Sequence, residues 1–204
     1  MDYVELQENN IIAKGGERCC YLHPKDKNKL IKIIFADGSH NQQNKLEDIY
    51  ISYLQKKKVD LSQTATYYGE IDSNLGKGVV YERITDYDST PSKSFRYYVA
   101  NKLISQELQK ELLNELKLYL EKNHILFVDT SMTNVFCKKT TKENYKLIIV
   151  DGLGAKRIGF KFWFYRNSKL YTKYKIKRQW AKFMAMYNKD IKRIKLGVRP
   201  IKRY

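Results

Sequence analysis

The sequence predicts an α+β chain, with strands concentrated in the first half and helices in the second. Three patterns carry this. Short runs rich in Val, Ile and Tyr alternate with turn residues as far as Ile84. Leu108, Leu112, Leu113, Leu116 and Leu120 share one helical face. Near the end Phe183, Met184, Tyr187, Ile191 and Ile194 recur at helical spacing.

The elements follow in order. Ile11–Ala13 reads as a strand broken by Gly15-Gly16. Cys19–Leu22 and Leu30–Phe35 are the next strands, separated by the turn-rich His23-Pro24-Lys25-Asp26. Three short strands in close succession predict an antiparallel meander. Residues 41–57 carry Leu46, Ile49, Tyr50, Tyr53 and Leu54, a helical stripe. Thr66–Ile71 and Gly78–Ile84 complete a five-stranded sheet, with Asn74 and Gly76 in the turn between them. Ser105–Lys122 is an amphipathic helix ended by Asn123-His124. Ile125–Val128, a polar loop from Asp129 to Asn134, and strand Val135–Cys137 come next. The tip Lys138–Asn144 returns the chain as strand Leu147–Val150, which runs into Asp151-Gly152-Leu153-Gly154. A final helix starts at Trp180, its outer face Lys and Arg.

The 204 residues are 43% apolar, enough for one compact domain or a small two-lobed unit. Only 3 Pro and 10 Gly argue against a fibrous or disordered chain. No apolar run approaches the roughly 20 residues that span a bilayer, and Met1-Asp2 opens no signal peptide. A cytoplasmic protein is expected. Cys19, Cys20 and Cys137 form neither a disulfide framework nor a zinc-ligand spacing and are expected as reduced thiols. His23, His40 and His124 are scattered over turns and a helix end, and none is assigned to catalysis.

Charge divides the chain. Residues 155–204 hold 17 Lys or Arg and one acid, Asp190, whereas residues 1–154 hold 22 basic and 21 acidic side chains. Aromatics interleave with the basic segment: Phe162, Trp163, Phe164, Tyr165, Tyr171 and Tyr174 among them. The aromatics alone read as core. Near-exclusion of acids over 50 residues points further, to a phosphate-rich partner such as an anionic membrane surface, a phosphorylated glycan or, with less support, nucleic acid.

Asp129 and Asn134 stand five residues apart in a loop, Asp151 leaves the following hairpin, and Lys32 interrupts the apolar strand Leu30–Ile34. Phosphoryl transfer from a nucleotide needs a carboxylate to orient the acceptor hydroxyl, oxygen ligands to hold Mg²⁺, and a Lys on the phosphates. Asp129 suits the first role, Asn134 and Asp151 the second, and Lys32 the third. A hairpin over 135–150 brings Asn134 and Asp151 to one edge. Each piece alone is common; their order along the chain is what joins them.

The arrangement resembles the protein-kinase fold, with Lys32 as the strand Lys, Asp129 and Asn134 as the catalytic loop, and Asp151-Gly152-Leu153-Gly154 at the Asp-Phe-Gly position. More closely, the chain resembles the bacterial YrbL family of PhoP regulatory network proteins. The resemblance lies in Gly16-Glu-Arg-Cys-Cys-Tyr-Leu-His-Pro24, Leu30-Ile-Lys-Ile33, Gly76-Lys-Gly-Val-Val-Tyr-Glu-Arg-Ile84 with Asp86, and Ile148-Ile-Val-Asp-Gly-Leu-Gly154, over about residues 10–160. It implies a minimal two-lobed fold: a five-stranded antiparallel N-lobe with one helix over 1–85, and a mostly helical, truncated C-lobe over 86–204 that ends in the basic segment 155–204. It also implies ATP and Mg²⁺ as cofactors. Glu47 is then expected to pair with Lys32, since it lies one turn from Tyr50 and reaches further than Asp48. Gly15, Gly16 and Arg18 would border the phosphates, and the backbone at Glu82–Ile84 the adenine.

This chain departs from the kinase pattern in three places. Gly15-Gly16 stands for a longer glycine loop, so Lys14, Arg18 or backbone N–H groups must hold the phosphates. Phe127-Val128 replaces His-Arg before Asp129, which removes the usual coupling to loop phosphorylation. No Ala-Pro-Glu block follows Asp151, which leaves room for a small or glycan acceptor. The first expectation is therefore a kinase that phosphorylates a hydroxyl on a protein or on an anionic glycan or lipid, such as lipopolysaccharide, at the inner membrane surface. The alternative is a kinase-like nucleotide-binding regulator without catalysis, using its basic segment to hold an anionic partner. A nucleic-acid-binding protein would leave the Asp/Asn/Asp set unexplained.

Overall fold

The computed structural model describes residues 3–15, 18–34, 43–154 and 160–198. Within them a six-stranded sheet precedes a helical body that carries a small second sheet. The strands of the first sheet are β1 (Tyr3–Val4), β2 (Ile11–Lys14), β3 (Arg18–Leu22), β4 (Lys29–Ile34), β5 (Tyr67–Ser73) and β6 (Gly76–Glu82). They lie in the order β1-β5-β6-β4-β3-β2. The sheet thus has six strands rather than five, because β1 adds parallel to β5 at the edge. Two residues carry no periodicity to read. The strand is held through Asn74, whose side chain accepts from the Leu6 N–H (2.8 Å) and donates to the Leu6 carbonyl (3.0 Å).

Side-chain alternation sets the two faces of this sheet. Ile31, Ile33, Val80 and Ile71 join Val4, Leu6, Cys19 and Tyr21 in one cluster. Val79 and Tyr81 face the other way and meet Ile51 of α1 (Gln43–Lys56), Ile84 and Ile148. Lys32, between Ile31 and Ile33, is directed to this second face. The residues 35–42, including the end of the third expected strand and the first residues of the expected helix, lie outside the described residues.

The second half contains α2 (Phe95–Ala100), α3 (Gln106–Asn123), α4 (Phe160–Asn167) and α5 (Lys169–Lys195). Ser105 caps α3 by accepting from the Leu108 N–H (3.1 Å), and His124 closes it in the left-handed region at φ 53°. Of the expected leucine stripe Leu112, Leu113, Leu116 and Leu120 are buried on α3, with Leu116 fully enclosed, and Leu108 is partly buried. The hairpin of β8 (Val135–Lys139) and β9 (Tyr145–Ile149) forms as expected, joined by the short edge strand β7 (Lys93–Ser94). α5 starts at Lys169, not near Trp180: Thr172, Ile176 and Gln179 continue its buried stripe toward the N-terminus. Two of those three are polar, which hides the period from a hydrophobicity reading. The Thr172 hydroxyl donates to the Tyr165 carbonyl (3.0 Å), and the Gln179 amide to the Val128 carbonyl (3.4 Å).

Hydrogen bonds tie the halves together. The Ala65 N–H donates to the Ile149 carbonyl, and the Ile149 N–H to the Gln63 carbonyl, each at 2.9 Å. Tyr50 of α1 accepts from the Leu126 N–H at 2.8 Å, inside the main core.

Candidate functional site

Register and packing gather the charged residues at this junction. In the β3–β4 ladder Cys20 lies opposite Lys32, so Arg18, two residues before Cys20, emerges on the Lys32 face. α1 crosses that face and presents Glu47. From the other side the β8–β9 hairpin delivers Asp151: the Val150 N–H donates to the Asn134 carbonyl (2.9 Å) and holds the two hairpin ends together.

The bonding differs from the sequence expectation at its centre. Glu47 is paired with Arg18, whose two terminal nitrogens each donate to a carboxylate oxygen at 2.9 Å. Arg18 also bonds Asp151. The Lys32 ammonium instead donates to the Val150 carbonyl (2.8 Å), lies 3.7 Å from the Asp151 carboxylate and sits over the Tyr81 ring. The physical reason is geometric: a planar guanidinium fork meets a carboxylate with two parallel bonds, which a single ammonium cannot do. Of the two adjacent acids Glu47 rather than Asp48 enters this cluster, bonded to Arg18 instead of the expected Lys32. Glu47 is buried and also accepts from the Tyr81 hydroxyl (3.0 Å), whereas Asp48 accepts from the Tyr67 hydroxyl (2.7 Å).

Electrostatics follow from this packing. Burial raises the Glu47 carboxyl above its usual range, opposed by Lys32. Burial also pushes the Asp151 carboxyl up, but Lys32 and Arg18 outweigh it and hold it well below the carboxylate range. Arg18 is held firmly charged: burial works against the cation, and Glu47 and Asp151 overcome it. The Tyr81 hydroxyl is raised by burial and by Glu47.

Asp129 and Asn134 meet within their loop. The Asn134 amide donates to both the carboxylate (3.0 Å) and the carbonyl (3.1 Å) of Asp129. Gly152 seats this loop against Asp151. Its carbonyl accepts from the N–H groups of Val128 (2.8 Å) and Asp129 (3.1 Å). At φ +84° a Cβ here would stand 2.8 Å from atoms of Asp129, so only glycine allows the approach. Gly154, at φ +86°, similarly leaves room for the Tyr50 ring. Phe127, at the position of the His in the kinase pattern, is buried against Phe183 of α5.

Other expected positions are otherwise engaged. The Gly15 N–H donates to the Arg18 carbonyl (2.8 Å) and closes the hairpin rather than facing a ligand. Gly16 lies outside the described residues. At the segment expected to meet adenine, the Glu82 N–H donates to Thr66 (2.8 Å), and the Ile84 carbonyl accepts from Ser92 (3.1 Å). Their backbone groups are partly spent on the fold. Asn44 is a partner the sequence reading lacked: it accepts from Arg18 (3.2 Å) and donates to the Lys32 carbonyl (3.3 Å). Behind the cluster, a cavity of about 10 Å³ lined by Glu47, Ile51, Tyr81 and Asp151 has room for about one water.

The described residues therefore define an α+β protein with an Arg–Glu–Asp–Lys network, buried at Arg18, Glu47 and Lys32 and half-buried at Asp151, abutting an Asp–Asn loop. Over residues 4–188 the chain matches the model of the PhoP regulatory network protein YrbL family, and it belongs to that family. Among its relatives are two proteins named Uncharacterized protein YrbL, from Escherichia coli strain K12 and Shigella flexneri. Each is 26% identical over 186 residues, which cover 89% of this chain and 87% of the relative.

Proposed function

We propose that this protein is an ATP-dependent kinase of minimal two-lobed, protein-kinase-like architecture, with the sheet and α1 as one lobe and the helical body as the other. One observation carries the reading: Lys32, Glu47, Asp129, Asn134 and Asp151, far apart in sequence, converge at one junction with Arg18 among them. A structural ion-pair network alone leaves the exposed Asp129–Asn134 contact without a purpose.

The residues suit Mg-ATP. Asp151 is half-buried and kept ionised, and the Asn134 contact with Asp129 uses its amide nitrogen, which leaves the oxygen as the atom a metal takes. Asp151 and Asn134 would hold Mg²⁺, and Lys32 and Arg18 the phosphates. Bound Mg-ATP supplies the transferable phosphoryl group and neutralises its charge. Asp129 orients the acceptor hydroxyl and accepts its proton, and Gly152 holds Asp129 within reach. The acceptor is a hydroxyl of a protein or of an anionic glycan or lipid.

A second reading, a nucleotide-responsive regulator without catalysis, draws on two facts. Arg18 already satisfies both Glu47 and Asp151, and the family description is of a regulatory network protein. The test is a melting series with label transfer. Mg-ATP should raise the melting temperature, as a ligand of the folded state does, and Asp151→Ala should remove most of that rise. Transfer of the γ-phosphate to a lysate fraction supports the kinase. A melting shift with no transfer supports the regulator, and no shift in the parent removes both.

A further inference from the structure

We propose that the corner between α4 and α5 is a docking surface for a lipid bilayer with anionic headgroups. Most aromatic side chains of the basic segment are core: Phe162, Tyr165, Phe183 and Tyr187 are buried. Four large apolar side chains close together in sequence are not. Trp163 is 57% exposed, Phe164 37%, Leu170 81% and Tyr174 60%. Trp163 and Phe164 meet edge to face (5.2 Å), and Phe164 packs on Tyr171 (5.5 Å), so the aromatic rings of α4 are joined to the first turn of α5. Such a cluster is uncommon on a surface that faces only water.

Its surroundings select the partner. Lys169, Lys173, Lys177 and Arg178 are exposed around Leu170 and Tyr174, and from Ala155 to Lys189 the chain has no acid. Leu170, Lys173, Tyr174, Lys177 and Arg178 follow helical spacing and share one face. Toward the C-terminus the exposed side continues through Lys182, Lys189 and Lys192. α5 has 27 residues and extends about 40 Å. Apolar side chains at one end and a long basic face match a helix lying in a bilayer interface: Trp, Tyr and Leu enter the headgroup boundary, and lysines meet lipid phosphates. A nucleic acid is less well matched. Its bases stack on aromatic planes and its backbone follows a groove, whereas Leu170, the most exposed of the four, has no π-face and lies on a single helical ridge. No helix among the described residues is long and apolar enough to cross a membrane, so the contact is a surface one.

The experiment uses the full chain with vesicles of phosphatidylcholine, alone or with about one third phosphatidylglycerol. Sedimentation should occur with the anionic vesicles only and weaken as salt rises, since exposed charge is screened. Leu170→Gln with Tyr174→Gln should lower the partition coefficient about tenfold or more, and Lys173→Gln with Lys177→Gln should flatten the salt dependence. All four positions are exposed, and unchanged far-UV circular dichroism and melting confirm that the variants fold. The protein has 2 tryptophans, Trp163 and the half-buried Trp180. Quenching by lipid with brominated tails should disappear in Trp163→Phe. Three results would each overturn the proposal: no binding to anionic vesicles at low salt, binding by the Leu170/Tyr174 variant equal to the parent, or displacement of bound vesicles by equimolar single-stranded oligonucleotide. None of these readouts depends on nucleotide, so they stand or fall apart from the kinase reading.

Discussion

Under the kinase reading Asp129 can be separated from the groups around it because its proposed task differs from theirs. In that proposal Lys32, Arg18 and Asp151 would act through charge at the phosphates and metal, and Asp129 on the acceptor. Asp129→Asn keeps the shape of the side chain and removes the proton acceptor. Under the kinase reading, label transfer should fall about 10²-fold or more with the Mg-ATP melting shift retained. An unchanged transfer rate would make Asp129 a structural partner of Asn134. At this scale the sequence exposes the residue types but not all their bonds. Lys32 stands out as a cation inside an apolar strand, and Asp129 and Asn134 as a spaced pair. Arg18 resembles any loop-end cation until the strand register is known. Once Cys20 is opposite Lys32, parity alone directs Arg18 to the same face.

The helices show how one residue anchors an element. Asp190 is the single acid of the basic segment and is almost fully buried on α5. It accepts from the Arg96 side chain of α2 at 2.7 Å, so the pair bolts α2 to α5. Removing one charge from a buried pair leaves the other unpaired, whereas replacing both with apolar groups need not cost stability. Asp190→Ala should therefore lower unfolding free energy by about 3–5 kcal/mol. Arg96→Met combined with Asp190→Leu should recover most of the loss. Urea denaturation of the three proteins checks this, and a double variant as unstable as Asp190→Ala would show that the pair contributes more than mutual neutralisation. The same element shows why the expected helix is too short: the N-terminal part of its buried stripe includes Thr172 and Gln179, polar residues whose partners lie outside α5.

At the scale of the whole molecule, acid acts on the junction that joins the two halves. Folding holds the Asp151 carboxyl below its usual range, against an unfolded value near 3.9. Its stabilising contribution is complete above that unfolded value and is lost as pH falls toward the folded one. Glu47, raised by burial, runs the opposite way: its carboxylate costs stability once pH climbs past the unfolded value near 4.3. Melting temperatures of the parent and of Asp151→Asn should thus differ most near neutral pH, with the gap narrowing progressively only as pH falls below about 3.9 toward the folded value. A gap that stays constant over this range would mean that Asp151 is not the group holding the junction. The basic segment is split in the same way between inside and outside, with buried aromatic rings and Asp190 toward the core and lysines on the surface.

What the sequence alone determined is what local physics encodes. Alternating apolar residues made the strands of the sheet legible, the leucine stripe and Ser105 marked α3, and the hairpin between Asn134 and Asp151 could be read from two apolar runs and a polar tip. Blocks of residues were enough to point to the family, and the uneven charge was visible at once. Tertiary structure decided the rest, because it depends on contacts between residues far apart in the chain. β1 is a strand because it pairs with the distant β5, beside the Asn74 clamp on Leu6. Glu47 belongs to Arg18 because the register turns a guanidinium toward α1 and a fork binds a carboxylate better than an ammonium does. Trp163, Leu170 and Tyr174 are surface residues, while Phe162, Tyr165 and Phe183 are core, because which side of a helix is covered is set by the elements packed on it and not by the residues themselves.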